Sequence, residues 1–279
     1  MPRLAVIGFP VGHSRSPAMQ NAALASLGLA PEWIYEAVEV APEDFEAKVA
    51  EMAADGFAGA NVTIPHKEAA LRLASGTSEA AREIGAANTL SFSAPRAGEG
   101  GADAAGIPDL PEIDAENTDA GGLLAALPTT PLDARTLVLG AGGAARAAVW
   151  ALVGEGARVE VWNRTAARAQ ELSAQLGGKA VASPEQADYD LIVNTTAVGL
   201  RGEDPFVELP LERDGFAGGQ LVVDMVYGEG RSALLEAAAA AGASTIDGLE
   251  ILVHQGALSL EIWTGRKPDL DVMRSAARA

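Results

Sequence analysis

The sequence predicts an α/β fold in two domains, in which strands and helices alternate along the chain. Short apolar runs typical of buried strands alternate with alanine-rich stretches typical of helices, and this alternation indicates mostly parallel sheets. The chain has 279 residues, more than one hydrophobic core usually holds. A stretch over 93–112, rich in Gly, Ala and Pro, follows the first α/β series and predicts a mobile surface loop.

The first series predicts a domain over residues 1–118. Its first strand, over 4–8, ends in a loop containing Ser14, Ser16 and Pro17, and an alanine-rich helix follows that loop. Further apolar runs and turn residues predict a strand over 33–40, a helix over 42–54, and strands over 59–62 and 89–92.

The second series predicts a domain over residues 119–248 with a Rossmann-like order of elements. In chain order we expect a strand over 136–139, a helix over 143–153, a strand over 159–162, a helix over 166–176, strands over 191–193 and 221–223, a helix over 231–241 and a short strand near Thr245. Apolar residues at helical spacing then predict helices over 249–263 and 270–277. We expect residues 249–279 to return to the first domain.

Composition excludes several functions. The net charge of −18 disfavours nucleic acid and anionic membrane surfaces as partners. The absence of cysteine excludes disulfides, thiolate metal sites and a cysteine nucleophile. The apolar run after Leu4 is broken at Gly8, and no run approaches the roughly 18 residues that span a bilayer, so we expect a cytoplasmic protein. The three histidines are too scattered for a metal site, so we expect no bound metal. We expect the protein to be a monomer or a homodimer.

A glycine-rich motif follows the predicted strand over 136–139. The run Gly140-Ala141-Gly142-Gly143-Ala144-Ala145 matches G-x-G-x-x-G/A and opens a predicted helix. The helix N-terminus offers unpaired N–H groups to a pyrophosphate, and small residues let the backbone approach it closely. The motif predicts a dinucleotide site; the alternative is an alanine-rich tight turn.

The end of the next strand indicates which dinucleotide binds. An NAD-binding unit places Asp or Glu there to hold the ribose 2′-hydroxyl, whereas this chain has Asn163, followed by Arg164, Thr165 and Arg168. These side chains supply positive charge and hydrogen bonds for a 2′-phosphate. We therefore expect NADP as the cofactor; the alternative is that the arginines only coat an exposed helix.

Polar side chains also gather at strand ends of the first domain. Asn61, Thr63 and Lys67 surround the end of the strand over 59–62, and Asn88-Thr89 and Asn117-Thr118-Asp119 come at later strand ends. Open α/β sheets bind ligands at such ends. Each residue could instead begin a helix or satisfy a turn, so the pattern alone predicts only a polar site.

Eight short motifs resemble those of the shikimate dehydrogenase family and occur along the chain in the same order as in that family. They are Ser14-x-Ser16, Asn-Val-Thr-x-Pro-x-Lys at 61–67, Ala87-Asn88-Thr89, Asn117-Thr118-Asp119, the glycine-rich motif, Asn163-Arg164-Thr165, Asp224-Met225-Val226-Tyr227 and Gln255-Gly256-Ala257. The resemblance implies an NADP-dependent enzyme that reversibly reduces 3-dehydroshikimate to shikimate in chorismate and aromatic amino-acid biosynthesis.

The resemblance also implies roles for individual residues. Substrate would be bound by Ser14 and Ser16 at the carboxylate, and elsewhere by Thr63, Asn88, Asp119, Tyr227 and Gln255. Lys67 and Asp119 would form the catalytic pair, in which the ammonium either protonates a developing alkoxide or stabilises it as a fixed charge. The cofactor would also be lined by Glu79, Thr196, Met225 and Gly248.

Two residues depart from the usual pattern of the shikimate dehydrogenase family. Ala115 stands where the family usually has Gly, behind a long insertion, and Glu250 stands where a small residue is common.

The sequence leaves two rival functions open. One rival is a quinate or shikimate dehydrogenase of broader specificity that uses NAD, and Asn163 and Arg164 argue against it. The other is a non-catalytic NADP-binding sensor, which the retention of Lys67 and Asp119 disfavours.

Overall fold

In the part of the chain that the computed structural model describes, residues 2–93, 112–228 and 230–279, the strands form two six-stranded sheets. The chain divides into two compact units. Unit 1 is Met1–Thr118 with Gly256–Ala279, and unit 2 is Asp119–Gln255. The predicted α/β fold class is confirmed.

The sheet of unit 1 has the strand order β2-β1-β3-β5-β6-β4. Strand β5 runs antiparallel to both of its neighbours, and the remaining pairs are parallel. The strands are β1 Arg3–Gly8, β2 Ile34–Glu39, β3 Phe57–Val62, β4 Gly76–Thr77, β5 Thr89–Ser93 and β6 Glu112–Glu116, and the helices between them are α1 Ser16–Ser26, α2 Phe45–Ala54, α3 Lys67–Leu73 and α4 Glu79–Ile84.

The sheet of unit 2 is parallel throughout. Its elements are α5 Asp119–Ala126, β7 Arg135–Leu139, α6 Gly143–Gly154, β8 Arg158–Trp162, α7 Ala166–Leu176, β9 Lys179–Ala180, β10 Leu191–Asn194, α8 Pro205–Glu208, β11 Leu221–Asp224, α9 Ala233–Ala240 and β12 Ser244–Asp247. The strand order is β12-β11-β10-β7-β8-β9, which is the Rossmann order 3-2-1-4-5-6 read from the opposite edge of the sheet.

Strand β7 shows why this order follows from the sequence. Leu137 and Leu139 belong to one buried cluster, and Val138 belongs to another, so apolar side chains cover both faces of the sheet. A strand buried on both faces reads as a continuous apolar run. Each fully buried leucine contributes about 1.5–3 kcal/mol to folding.

Two helices complete the chain, α10 Gly248–Thr264 and α11 Leu270–Arg278. The sequence placed the domain boundary at the start of α10, whereas the compact units divide within this helix, between Gln255 and Gly256. Its first turns pack with unit 2 because Ile251 is buried in a core cluster of that unit.

Most predicted elements are present with bounds shifted by one or two residues. Helix α7 has the predicted range, and residues 42–44 form a short 3-10 turn before α2. The predicted loop over 93–112 lies outside the described residues, apart from Ser93 and Glu112, which belong to β5 and β6. No helix among the described residues is long and apolar enough to cross a membrane.

Candidate active site

The loop after β1 places Ser14 and Ser16 on one turn at the start of α1. Ser14 N donates to Val11 O at 2.9 Å, and Ser14 Oγ accepts from Ser16 N at 3.2 Å. Ser16 is buried and Ser14 half-buried. Pro17 lies in the first turn of the helix, where its missing N–H is no loss.

The segment after β3 turns sharply into α3. His66 N donates to Thr63 O at 3.0 Å, and His66 Nε2 lies 2.8 Å from Val40 O. The His66 ring stacks on Phe45 at 4.4 Å. Burial lowers the pKa of His66, and its bond to the Val40 carbonyl acts in the opposite direction. The packed His66 side chain therefore holds the turn that precedes Lys67 in place.

Lys67 is the first residue of α3 and is half-buried. Its carbonyl oxygen accepts from Ala87 N at 2.9 Å, so the start of the helix lies beside the segment that carries Asn88. Asn88 itself lies against the end of β3, because its carbonyl accepts from Val62 N at 2.8 Å. Unit 1 thus brings two predicted site residues to one edge of its sheet.

Behind these loops lies a buried cluster, here named the strand-end network: Tyr35, Asn61, Asn88, Thr89, Thr118 and Ser259. Each residue is at most 6% exposed. Ser259 Oγ accepts from Asn61 Nδ2 at 2.8 Å and lies 2.9 Å from Thr89 Oγ1 and 3.1 Å from Thr118 Oγ1. Tyr35 donates its hydroxyl to Asn61 Oδ1 at 2.8 Å.

The Asn88 amide is held at both ends by Thr118. Thr118 N donates to Asn88 Oδ1 at 2.7 Å, and Asn88 Nδ2 donates to Thr118 Oγ1 at 2.9 Å. These bonds fix which end of the amide carries the oxygen. The sequence had assigned substrate binding to Asn88, had placed Asn61 and Thr118 only among the polar strand-end residues, and had assigned no role to Ser259.

Asp119 is the first residue of α5 and is 5% exposed. It belongs to unit 2 and follows Thr118 directly along the chain. The neighbouring Asn117 donates from Nδ2 to Ala86 O at 2.8 Å in unit 1, so Asn117 satisfies a turn, as the structural alternative held. Glu79 is the first residue of α4 and is exposed.

The glycine-rich motif of unit 2 forms the connection between β7 and α6. Gly140 has φ +118°, and a Cβ there would lie 2.6 Å from Thr195 Oγ1, so a larger residue would be both strained and crowded. Gly142 precedes the first turn of α6, is exposed, and has open space where a Cβ would stand. The N-terminus of α6 is therefore accessible to an anion.

The segment after β8 lies beside this loop, since Gly140 N donates to Trp162 O at 2.8 Å. Asn163 Nδ2 donates to Thr165 O at 3.0 Å. The Arg164 side chain is 84% exposed and lies 3.7 Å from Glu208 Oε2, and Arg168 is exposed on α7. The end of β8 thus carries cationic side chains and no carboxylate of its own.

The ends of β10 and β11 are joined through Asn194 and Asp224. Asn194 Nδ2 donates to Asp224 Oδ1 at 2.9 Å, and Asn194 Oδ1 accepts from Thr196 Oγ1 at 2.7 Å. Ser232 Oγ donates to Asp224 Oδ2 at 2.6 Å, and Val226 N to Oδ1 at 3.1 Å. Burial raises the pKa of Asp224 above its ordinary value, and these hydrogen bonds act against the shift.

The loop after β11 carries Met225 and Tyr227 and packs against the start of α10. A Cβ on Gly248 would lie 2.5 Å from Met225 O, so backbone occupies the space of a side chain at this position. Val226, Tyr227 and Leu249 line a pocket at the carboxyl ends of β10, β11 and β12. Such ends are where open α/β sheets bind ligands.

Gln255 is 8% exposed and lies in unit 2. Its Nε2 donates to Leu252 O at 2.9 Å. A Cβ on Gly122 would lie 2.6 Å from Gln255 Cβ, so α5 approaches Gln255 closely. The sequence had assigned no role to Gly122, Asn194, Asp224 or Ser232.

Three family models match this chain. They describe the shikimate dehydrogenase substrate binding domain over residues 6–90, shikimate / quinate 5-dehydrogenase over 125–198, and the shikimate 5′-dehydrogenase C-terminal domain over 248–278. A shikimate dehydrogenase (NADP(+)) of Brucella abortus is 44% identical over 272 residues, which are 95% of this chain and 89% of the relative. The chain belongs to the shikimate dehydrogenase family.

This chain is also similar to further members of the shikimate dehydrogenase family, in sequence and in structure. A shikimate dehydrogenase (NADP(+)) of Methanocella arvoryzae is 42% identical over 285 residues, which are 98% of this chain and 97% of the relative. The crystal structure of shikimate 5-dehydrogenase from Thermus thermophilus in complex with NADP(H) and shikimate matches this chain with 41% sequence identity and a TM-score of 0.85. The match covers 100% of this chain and 99% of the crystallised chain.

The family matches include most predicted site residues and omit three, Asp119, Met225 and Tyr227. Ser14, Lys67 and Asn88 fall in the first matched segment, and the glycine-rich motif falls in the second. Asp119 lies between these segments, so its assignment depends on the motif Asn117-Thr118-Asp119 and on its position at the start of α5.

Proposed function

We propose that this chain reduces 3-dehydroshikimate to shikimate with NADPH, and catalyses the reverse oxidation with NADP, as a step of chorismate and aromatic amino-acid biosynthesis. The observation that carries the proposal is the 44% identity, over 95% of the chain, with a relative named shikimate dehydrogenase (NADP(+)). The polar edge of unit 1 and the glycine-rich loop of unit 2 support the proposal, because they would supply the substrate site and the cofactor site that this reaction needs.

Unit 2 has features that fit a dinucleotide. The space beside Gly142 and the exposed start of α6 leave room for a pyrophosphate, which the N–H groups of that turn would bind. Ala141, Gly143 and Ala144 keep the same turn small. At the other end of the cofactor, Met225 and Gly248 would line the nicotinamide. Thr196 would line the cofactor cleft, and Glu79 would lie near the cofactor. The bound cofactor supplies the hydride.

The segment after β8 would hold the 2′-phosphate. Asn163 and Thr165 offer hydrogen bonds, and Arg164 and Arg168 offer charge at exposed positions. An arginine can meet a phosphate with two parallel hydrogen bonds, whereas a carboxylate at Asn163 would repel it. This arrangement favours NADP over NAD.

Unit 1 would bind most of the substrate. The hydroxyls of Ser14 and Ser16 stand on one turn and would donate to the substrate carboxylate, with Thr63 and Asn88 at the neighbouring strand ends for the ring hydroxyls. Gln255 and Tyr227 would also bind substrate. We thus infer substrate binding by residues 1–118, completed by 249–279, and NADP binding by 119–248.

Lys67 and Asp119 would act at the oxygen of the carbon that exchanges hydride. In reduction this oxygen gains negative charge, which the Lys67 ammonium either protonates or stabilises as a fixed charge. The Asp119 carboxylate would orient the lysine side chain.

The proposed function is tested by measuring shikimate-dependent NADPH formation with the purified protein. We expect turnover with shikimate and NADP, and a loss of turnover in Lys67→Ala. If the wild-type protein binds NADP but oxidises neither shikimate nor quinate, the sensor hypothesis is correct instead. If quinate with NAD is the preferred pair, the broader dehydrogenase is correct.

We also propose where the enzyme works and with which partners. Shikimate and NADP are its small-molecule ligands, and the net charge of −18 argues against nucleic acid and anionic membranes as partners. A cytoplasmic location fits a biosynthetic enzyme. The protein would be a monomer or a homodimer, which sedimentation equilibrium distinguishes.

A further inference from the structure

Four hydrogen bonds of the strand-end network close a ring that begins and ends on the Asn88 amide. Asn88 Nδ2 donates to Thr118 Oγ1 at 2.9 Å, Thr118 Oγ1 lies 3.1 Å from Ser259 Oγ, and Ser259 Oγ lies 2.9 Å from Thr89 Oγ1. Thr89 Oγ1 donates to Asn88 Oδ1 at 3.2 Å and completes the ring. All four members lie in unit 1.

One direction of these bonds satisfies every hydroxyl. Each hydroxyl has one proton and two acceptor positions. If Thr118 donates to Ser259, and Ser259 donates to Thr89, the proton of each is used once. Ser259 then accepts from both Thr118 and Asn61, so its proton and both acceptor positions are occupied.

Ser259 is the member of the ring that comes from a distant part of the chain. It is 0% exposed and lies on α10, and its bonds to Asn61, Thr89 and Thr118 span 198, 170 and 141 residues of sequence. The other members belong to neighbouring strand ends. The Ser259 hydroxyl is therefore what joins α10 to these strand ends within the ring.

We propose that Ser259 is a positioning residue for substrate, which acts by holding the Asn88 side chain firmly in place through this ring. The inference rests on the proposed function, because it takes Asn88 as the side chain that meets a substrate hydroxyl. Without the Ser259 hydroxyl, Thr118 and Asn61 lose an acceptor and Thr89 loses a donor. Thr118 N still donates to Asn88 Oδ1, but the Thr118 hydroxyl can then turn its proton towards Asn88 Oδ1, which lies 3.2 Å away. The Asn88 side chain is then held less firmly, and substrate binding weakens.

The test is a double-mutant cycle with Ser259→Ala and Asn88→Ala, in which the Michaelis constants for shikimate and NADP are measured. In the wild-type background, Ser259→Ala should raise the constant for shikimate about three- to tenfold, the size of a coupling between neighbouring side chains, and change that for NADP by less than about twofold. In the Asn88→Ala background, the effect on shikimate should fall below about twofold.

Two further variants separate positioning from stability. Thr89→Val removes another ring member at nearly constant volume and should reproduce the non-additive result, also if Ser259→Ala folds poorly. Thr264→Val is the control, because Thr264 lies on the same helix and donates to Leu260 O at 2.7 Å, outside the ring. It should leave both Michaelis constants unchanged.

The proposal is overturned if Ser259→Ala raises the constant for shikimate equally in both backgrounds, if it leaves that constant unchanged, or if Asn88→Ala alone has no effect on it. These outcomes require a wild-type enzyme that oxidises shikimate. An inactive wild-type protein would instead reject the proposed function.

Discussion

Arg164 Nη1 lies 3.7 Å from Glu208 Oε2, so the cation proposed to bind the 2′-phosphate already faces a carboxylate. Glu208 is the last residue of α8, and that helix is held in place at its start. Asp204 Oδ1 accepts from Phe206 N at 3.0 Å, and Phe206 packs edge-on against Phe216 at 6.3 Å. The carboxylate would therefore compete with the phosphate from a fixed element.

The first prediction is that Glu208→Gln strengthens NADP binding. Both side chains of the pair are exposed, so the competition is weak, and we expect the dissociation constant of NADP to fall about two- to fivefold. The constant for NAD should not change, because NAD has no 2′-phosphate. Glu171→Gln, an equal change of charge on α7, is the control for net charge. Weaker NADP binding, or an equal gain for NAD, would show that Glu208 does not compete at this site.

The second prediction is that Arg164→Ala selectively impairs the use of NADP. Loss of a hydrogen bond to a charged group should weaken NADP binding by about 1.5–3 kcal/mol, which is about a tenfold to somewhat over a hundredfold rise in its Michaelis constant. Asn163→Asp should act in the same direction by repelling the phosphate, while the new carboxylate gives the NAD ribose an acceptor. If Arg164→Ala depresses both cofactors equally, Arg164 belongs to the fold and not to the phosphate site.

The third prediction concerns catalysis. Lys67→Ala and Asp119→Asn should each slow the chemical step by about 10²- to 10⁴-fold, the usual contribution of a general acid–base group. NADP affinity should stay near the wild-type value, because neither residue belongs to the glycine-rich loop or to the segment after β8. Single-turnover rates and NADP titrations measure the two quantities separately. A variant with near-normal turnover would remove its residue from the mechanism.

The fourth prediction is a pH dependence of stability that originates in Asp224. Burial raises the pKa of this carboxyl in the folded protein, so between its ordinary value and the raised value the folded state binds the proton more tightly than the unfolded state. Stability should therefore decline as pH rises through this window and level off above it. The slope has this sign because the folded state holds more protons there.

Asp224→Asn isolates this effect. The free energy of unfolding of the wild-type protein, minus that of the variant, should be most favourable to the wild type at the lowest pH and should decrease as pH rises. Titration of the other carboxylates is common to both proteins and cancels in the difference. A difference independent of pH, or one that grows with pH, would mean that the folded carboxyl does not have a raised pKa.

Elements with strong local signals were predictable. Helix α7 has its predicted range because its apolar residues recur on one face and Gly177 follows its last residue. Strand β6 was not predicted, since its acidic residues are poor strand formers. It forms because Ile113 and Ala115 face a core cluster while Glu112 and Glu116 are half-buried and Asp114 is exposed.

Helix α5 was missed for a similar reason. Gly121 and Gly122 disfavour a helix locally, whereas the close approach of Gln255 leaves no space for a side chain at Gly122. That constraint comes from a residue far away in sequence, and no local pattern shows it.

The strand-end network is the part of the candidate site that the sequence could not predict. Asn61 lies in a predicted motif, but its partner Ser259 stands in an apolar helical pattern 198 residues later and has no local signal for a polar role. The hydroxyl can be recognised only when the fold brings α10 to the strand ends. The catalytic pair itself was assigned through the family motifs and stays a prediction.

The proposed activity with shikimate and NADP is tested best by steady-state kinetics of the wild-type protein. The values of kcat/KM are compared for shikimate or quinate, each with NADP or NAD, at fixed pH and ionic strength. We expect shikimate with NADP to have the highest kcat/KM. Replacing NADP by NAD should lower it by at least about tenfold, the lower end expected for the loss of a charged hydrogen bond. Equal or higher efficiency with NAD, or with quinate in place of shikimate, would contradict the proposed activity.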